Sequence, residues 1–230
     1  MKKYLLVLLL ASLIAPGILA QKTVIGTVDY KYRLVGEGAE QIAGMMPEKM
    51  VIKYGKNGMA IEMIGGMMTA MMNRTIVNGK TNEVFVINDA AKAIYLMNED
   101  EIKAEADKAE DAEVEKQEET REIGGYKCTK YLQTATVQGM TMTQVVWVTK
   151  DLKTPDYEGD AFKGVSGQGN MSMDFDGFPM LVEVELPGMP VTLELEVSNI
   201  TFEKIPDAVF EKPEGYTVKD FSELNPYGSM

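Results

Sequence analysis

The 230-residue sequence contains no histidine, one cysteine and one tryptophan. Without an imidazole, a Ser-His-Asp or Cys-His nucleophilic centre has no base. Zinc sites built from His and Cys lose their ligands for the same reason. Cys128 has no partner in the chain for a disulfide and reads as a buried small hydrophobe. No G-x-x-x-x-G-K-[ST] loop and no G-x-G-x-x-G at a strand-to-helix junction is found, so nucleotide binding has no support. Positive charge is scarce too: 23 Lys and Arg face 35 Asp and Glu, a net charge of −12 that disfavours nucleic acid and anionic lipid surfaces as partners. Acids are plentiful, yet no pair is set apart for glycoside hydrolysis. The expectation is a protein that is not an enzyme and has no cofactor.

Long apolar runs are confined to the first residues, MKKYLLVLLLASLIAPGILA. Lys2 and Lys3 precede an apolar stretch from Leu5 to Ala15, then a Pro16-Gly17 break and Ala20. The stretch is shorter than the ~20 residues that span a bilayer, so residues 1–20 read as a secretory signal peptide. Residues 21–230 are then expected as a single domain. No cysteine follows the signal, so a soluble, periplasmic or otherwise exported protein without a lipid anchor is expected. Loss of Lys2 and Lys3 would take the net charge from −12 to −14.

Much of the acid lies in one insertion at 99–122, EDEIKAEADKAEDAEVEKQEETRE, with twelve acidic and four basic residues. Ala, Glu and Lys favour helix, but only Ile102 and Val114 are large and apolar, so a solvated helix or a partly disordered excursion is expected. Elsewhere the dominant period is two. TVIGTVDYKYRLV sets Val24, Val28, Tyr30, Tyr32 and Leu34 against Thr27, Asp29, Lys31 and Arg33. KMVIKYGKNGMAIEMI is two alternating runs about Asn57-Gly58, a pair suited to hairpin turns, with Met50, Ile52 and Tyr54 facing the same side as Met59, Ile61 and Met63. EVFVINDAAKAIYLM predicts a hairpin turning near Asn88-Asp89. GYKCTKYLQTATVQGMTMTQVVWVTKD predicts two long strands around Gln138-Gly139, with Met140, Met142, Val146 and Val148 on one face.

The last hairpin alternates Met180, Val182, Val184 and Leu186, turns at Pro187 to Pro190, and returns through Leu193, Leu195 and Val197. Its phase then slips, which predicts a bulge near Ser198-Asn199. Helix is expected only at Glu37 to Met46, near Gly66 to Met72, and in the acidic run. Roughly nine or ten strands joined by short turns predict a mainly antiparallel β (α+β) fold, one face dry and one wet, curled or covered so that its apolar face leaves water.

Several pieces in order resemble an uncharacterised domain-of-unknown-function family of proteins exported by Gram-negative bacteria. They are the Met- and Gly-rich region 57–72, Tyr95-Leu96-Met97, Ile123-Gly124-Gly125-Tyr126-Lys127-Cys128, Trp147-Val148-Thr149, Phe178-Pro179 and the closing IPDAVFEKPEGY at 205–216. That family is similar to the lipoprotein-carrier superfamily of LolA and LolB. The resemblance implies a curved, incompletely closed half-barrel sheet with a few short helices, whose concave face holds acyl chains. It implies no catalytic residues.

The stretch MAIEMIGGMMTAMM at 59–72 holds six methionines. Thioethers are soft ligands suited to Cu(I), and Met63, Met67, Met68, Met71 and Met72 have short spacings. The same residues also describe apolar faces: Met59, Ile61 and Met63 alternate as in a strand, and Met67, Met68, Met71 and Met72 recur as on a helix. Met is flexible and polarizable, suiting a surface that repacks around varied guests. SMDFDGFPMLVE places Ser172, Asp174, Asp176, Gly177 and Glu183 in an EF-hand-like spacing. Ser stands there for the first carboxylate, and Pro179 interrupts the loop, so no metal is expected. The leading reading is a carrier-like domain sheltering an acyl chain, lipid or lipopeptide against Met59, Ile61, Met63, Met67, Met71, Met142 and Leu195, with a lid near Gly65-Gly66. The alternatives are a structural or protein-interaction module of the cell envelope with a self-filled core, and Met-based Cu(I) binding.

Overall fold

The structure, a computed structural model, describes residues 21–70, 74–110, 113–137, 140–168 and 175–224. The expected signal peptide lies outside them. Fourteen strands are present among the described residues: β1 (Lys22–Thr23), β2 (Gly26–Gly36), β3 (Lys49–Tyr54), β4 (Gly58–Ile64), β5 (Arg74–Asn78), β6 (Glu83–Asn88), β7 (Ala93–Leu96), β8 (Glu113–Ile123), β9 (Tyr126–Val137), β10 (Met140–Thr149), β11 (Leu152–Lys153), β12 (Phe178–Glu185), β13 (Val191–Phe202) and β14 (Thr217–Asp220). Helices α1 (Ala39–Ile42), α2 (Glu99–Glu110) and α3 (Asp160–Gln168) are accompanied by three short 3₁₀ turns.

Twelve strands form one sheet in the order β14-β7-β6-β5-β4-β3-β2-β13-β12-β10-β9-β8, antiparallel except where β14 joins β7, and β1 pairs with β11 apart from it. The sheet is curved and does not close into a barrel. The connection from β7 to β8 explains why it curls. Those strands are ten places apart, about 48 Å across a flat sheet at ~4.8 Å per strand. The twelve-residue helix α2 supplies only about 18 Å of the crossing, so the two edges must bend toward one another. The acidic segment is thus a strut across the concave side.

The hairpins follow the alternation of the sequence. Tyr54 pairs with Met59, Ile52 with Ile61 and Met50 with Met63; Asn88 pairs with Ala93, Met140 with Val137, and Val182 with Leu195. The expected phase slip is a register shift between Val197 and Asn199 against β2, where the Ser198 hydroxyl donates to the Asp29 carbonyl at 3.1 Å.

Four expectations are corrected. The acidic run is not one solvated helix: among the described residues its first part is α2, with Ile102 and Ala106 buried in the core, and its second part is β8, an exposed edge strand. Ion pairing explains part of that strand, since Lys130 of β9 meets Glu119 at 3.0 Å. Helix between Glu37 and Met46 shrinks to the single turn α1, which buries no residue; the turn or two expected near Gly66 is present as a 3₁₀ turn at Met67–Ala70, with Met71 and Met72 outside the described residues. Helix α3 is not expected from DAFKGVSGQ, which carries two glycines; it forms where Ala161, Phe162 and Val165 pack into the core.

Finally, the sheet is not dry on one face alone. In β6 the consecutive residues Val84, Phe85, Val86 and Ile87 are all buried. Val84 faces the large concave cluster of Tyr30, Ile52, Tyr54, Met59, Ile102 and Phe162. Phe85 and Ile87 face a second cluster with Ile76, Ile94, Ile205 and Phe210. The C-terminal segment 203–216 is therefore a strap over the outer face of β4 to β7. Phe210 lies so close to the β3–β4 turn that a Cβ at Gly58 would stand 2.7 Å from its Cδ2, and one at Gly55 2.5 Å from its Cζ. At both places the strap needs glycine for space, not for backbone conformation.

Candidate functional site

Strand direction fixes where the concave face opens. Strands β2, β4, β6, β9 and β12 end, and β3, β5, β7, β10 and β13 begin, at one end of the sheet. The loops there touch, since the Met67 amide donates to the Gly44 carbonyl at 3.3 Å. At the opposite end Tyr157 stacks on Phe162 with ring centroids 4.1 Å apart, and its hydroxyl reaches the carbonyls of Gly55 and Gly58. Edge-on packing of Tyr54 against Phe178 helps to close that end. One end is a stopper and the other a mouth.

The methionine stretch runs from stopper to mouth. Met59 is 1% exposed and belongs to the core; Ile61 and Met63 are half-buried; Ile64 is 43% and Met67 73% exposed. Met45, Val35 and Met189 are exposed at the same end. Of the residues expected to line a ligand, Leu195 is buried within the core, Met142 is half-buried at the mouth, and Met71 lies outside the described residues. Met59 and Leu195 are thus walls of the protein's own core, and Met67 stands on the rim. Ile61 and Met63 of β4 and Met142 of β10 are each half-buried, on strands five places apart in the sheet. The lid expected at Gly65-Gly66 is a turn in which both glycines have positive φ, 79° and 71°, placing Met67 against the α1 loop.

Among the described residues, two open hollows flank the mouth. One, of about 760 Å³, lies at the β12–β13 hairpin and is lined by Met142, Leu186, Met189 and Val191 among others. The other, of about 290 Å³, lies between Tyr32 and Leu34 of β2 and the segment Ala39 to Glu48. The centre of the face between mouth and stopper is filled by Ile102, Phe162 and Val165 from the helices.

Among the described residues, the ionisable side chains of the concave cluster are tyrosines and Cys128; the hollows at the mouth are also lined by Glu40, Glu48 and Glu185. Burial pushes Tyr32 up to about 12, and raises Tyr30 and Tyr54 further, the former also through the neighbouring Tyr54. The Tyr30 hydroxyl donates to the Pro179 carbonyl at 3.1 Å. Burial likewise pushes the Cys128 thiol up to about 11, so it is an inert, protonated core group.

Among the described residues, no group of three or more Cys, Asp or Glu could hold a metal ion. In the EF-hand-like stretch, Ser172 and Asp174 lie outside the described residues. Asp176 pairs with Lys150, while Glu183 accepts from Trp147 Nε1 at 3.2 Å. The sequence reading missed two groups. Tyr157 and Phe162 carry no periodic signal. Gln133 and Gln144 were legible, because Gln144 has the inward parity of Met142 and Val146, and it donates through Nε2 to Gln133 Oε1 at 2.7 Å.

The family model described as "Domain of unknown function (DUF4412)" matches residues 39–216. No curated protein matches the chain. Among solved structures, PNGF-II in a C2 crystal form is similar with a TM-score of 0.46 and 16% identity over 86% of this chain; the match spans 32% of PNGF-II, so this chain corresponds to about a third of that one. An uncharacterised conserved protein from Thermus thermophilus is similar with a TM-score of 0.47 and 10% identity, over 85% of this chain and 90% of the other. No helix among the described residues is long and apolar enough to cross a membrane.

Proposed function

The chain belongs to the DUF4412 family of domains of unknown function, and from that premise we propose that it is a non-enzymatic, exported carrier-like domain. Its guest is an acyl chain, a lipid or a lipopeptide admitted at the methionine-rich mouth of the curved sheet. The observation that carries this reading is the graded exposure from Met59 in the core to Met67 on the rim. A core that merely used Met would not continue its apolar stripe into water, whereas contiguous exposed apolar surface marks a site of contact. The motif resemblance to the lipoprotein-carrier superfamily supports the same ligand class, and the basic, apolar N-terminus supports export.

Guest and helices compete for the same face. Ile102, Phe162 and Val165 are worth about 1.5–3 kcal/mol each when buried, or roughly 5–9 kcal/mol together. A guest burying about ten methylenes at ~0.8 kcal/mol each would match that. A long chain can therefore displace the helical plug and a short one cannot. Lipid extraction and native mass spectrometry of protein expressed in the periplasm test the proposal. A co-purifying acyl species is expected; protein that is always empty and fails to bind a fluorescent fatty acid refutes it.

A second reading is favoured by one observation, the filling of the central concave face by the protein's own helices. A structural or protein-interaction module of the envelope would keep that plug shut and use the rim of Met45, Ile64 and Met67 to dock a partner. Crosslinking from Met67→Cys to an envelope protein, with no lipid bound, is the outcome that selects it.

A further inference from the structure

Residue pairing across the mouth half of the concave face gives one continuous row. Leu34 of β2 pairs with Leu193, Leu193 with Val184, Val184 with Gln144, and Gln144 with Gln133. The row spans about 19 Å from β2 to β9 at ~4.8 Å per strand. Its first three members are apolar and half-buried; its last two are buried amides, Gln133 at 1% and Gln144 at 8% exposure. The row lies between the two mouth hollows, with Leu34 lining one and Met142, adjacent to Gln144 on the same strand face, lining the other.

Gln133 is half-satisfied. Its Oε1 accepts from Gln144 Nε2 at 2.7 Å, but its own Nε2 is buried with no partner. A buried amide donor left unpaired costs about 1–3 kcal/mol, and an apolar residue at this position would avoid that cost, as Val146 does one step deeper on β10. Turning the Gln133 amide over does not remove the problem, because the bond to Gln144 still uses only one of its ends.

We propose that Gln133, braced by Gln144, is the head-group anchor of the apolar guest, donating Nε2–H to a carbonyl or carboxyl oxygen while the chain lies along Val184, Leu193 and Leu34. The inference deepens the carrier reading and rests on it. It narrows the ligand class to amphiphiles with an acceptor oxygen at one end, such as long-chain acyl esters, acyl amides or fatty acids. Plain hydrocarbons would gain nothing from the amide. Gln133 acts by binding and orientation alone, and no bond is made or broken.

The test uses the full mature chain, the variant Gln133→Leu and the double variant Gln133→Leu/Gln144→Leu, with two probes. One is a long-chain fatty acid methyl ester, read by displacement of a fluorescent fatty acid; the other is N-phenyl-1-naphthylamine, an apolar dye without an oxygen acceptor. Both variants are expected to lose affinity for the ester about tenfold, the worth of one hydrogen bond, while keeping dye affinity within about twofold. Gln133→Leu removes the acceptor of the buried Gln144 Nε2–H and is expected to be less stable than the parent by about 1–3 kcal/mol; the double variant removes both ends of that bond, and each variant's affinities are read under conditions where it is fully folded. Equal loss for both probes, or no loss for either, overturns the anchor while leaving carriage standing. Failure of the parent to bind either probe overturns the carrier reading, and the anchor with it.

Discussion

Gly58→Ala is the sharpest probe of the C-terminal strap. On backbone grounds the change should be neutral or stabilising: Gly58 is not among the glycines with positive φ, and alanine restricts the unfolded chain by ~0.4–1 kcal/mol. The strap reverses the sign. A Cβ at Gly58 would lie 2.7 Å from Phe210 Cδ2 and 2.8 Å from Phe210 Cβ, well inside contact distance. Phe210 is 2% exposed and cannot simply swing into water without giving up its burial. Overpacking of this kind costs about 1–3 kcal/mol. Phe210→Ala alone should cost about 3–5 kcal/mol, and it removes the ring that the new Cβ would meet, leaving only the 2.8 Å approach to the Cβ that alanine keeps. The double variant should therefore lose less than the sum of the two single changes, a coupling of about 1–3 kcal/mol in a double-mutant cycle. Urea denaturation at equilibrium, followed by tryptophan fluorescence, measures all four corners. Strict additivity, or a neutral Gly58→Ala, would refute the placement of Phe210 over the β3–β4 turn.

Other outcomes follow from the packing and the charges. Tyr157→Phe removes the hydroxyl that lies 2.9 Å from the Gly55 carbonyl and 3.1 Å from that of Gly58; a loss of about 1–2 kcal/mol is expected, or a melting point lower by about 2–8 °C. Ile102→Ala should loosen the α2 strut by roughly 2–4 kcal/mol and, on the carrier reading, raise affinity for a fluorescent fatty acid; weaker probe binding at full folding would count against competition between plug and guest. Cys128 has a folded pKa raised from 9.0 to about 11, and Tyr32 from 10.0 to about 12. Groups raised in this way stabilise the fold fully below the unfolded pKa, and that stability is lost as pH rises. Stability should fall from about pH 9 upward and more steeply above 10, as denaturant titrations across pH 8 to 11 would show. At pH 8, iodoacetamide should label Cys128 only in urea.

Hairpins were legible where alternation and a turn coincide, as at Asn57-Gly58 and Pro187 to Pro190, because side-chain period and turn chemistry are both local. Even the Val197–Asn199 shift showed itself as a change of parity. What stayed hidden depends on distant partners. Strand β8 reads as helix because Glu and Lys favour helix, yet it pairs with β9. Phe85 and Ile87 sit at outward parity, so their burial cannot be inferred without knowing that residues some 120 positions later return to cover them. The expected site residues among those described divide in the same way: alternation puts Met59, Ile61 and Met63 on one face, opposite Tyr54, Ile52 and Met50, but depth along that face depends on where α2 and α3 lie.

The strap also sets when the fold can be finished. Residues 203–216 and β14 are synthesised after every strand they cover, and β14 adds to the β7 edge while Phe210 and Ile205 seal the outer cluster. Until they arrive, Ile76, Phe85, Ile87 and Ile94 face water beside an open strand edge, which is the kind of surface that proteases and aggregation both recognise. A chain cut short before residue 203 would thus carry a visible mark of incompleteness.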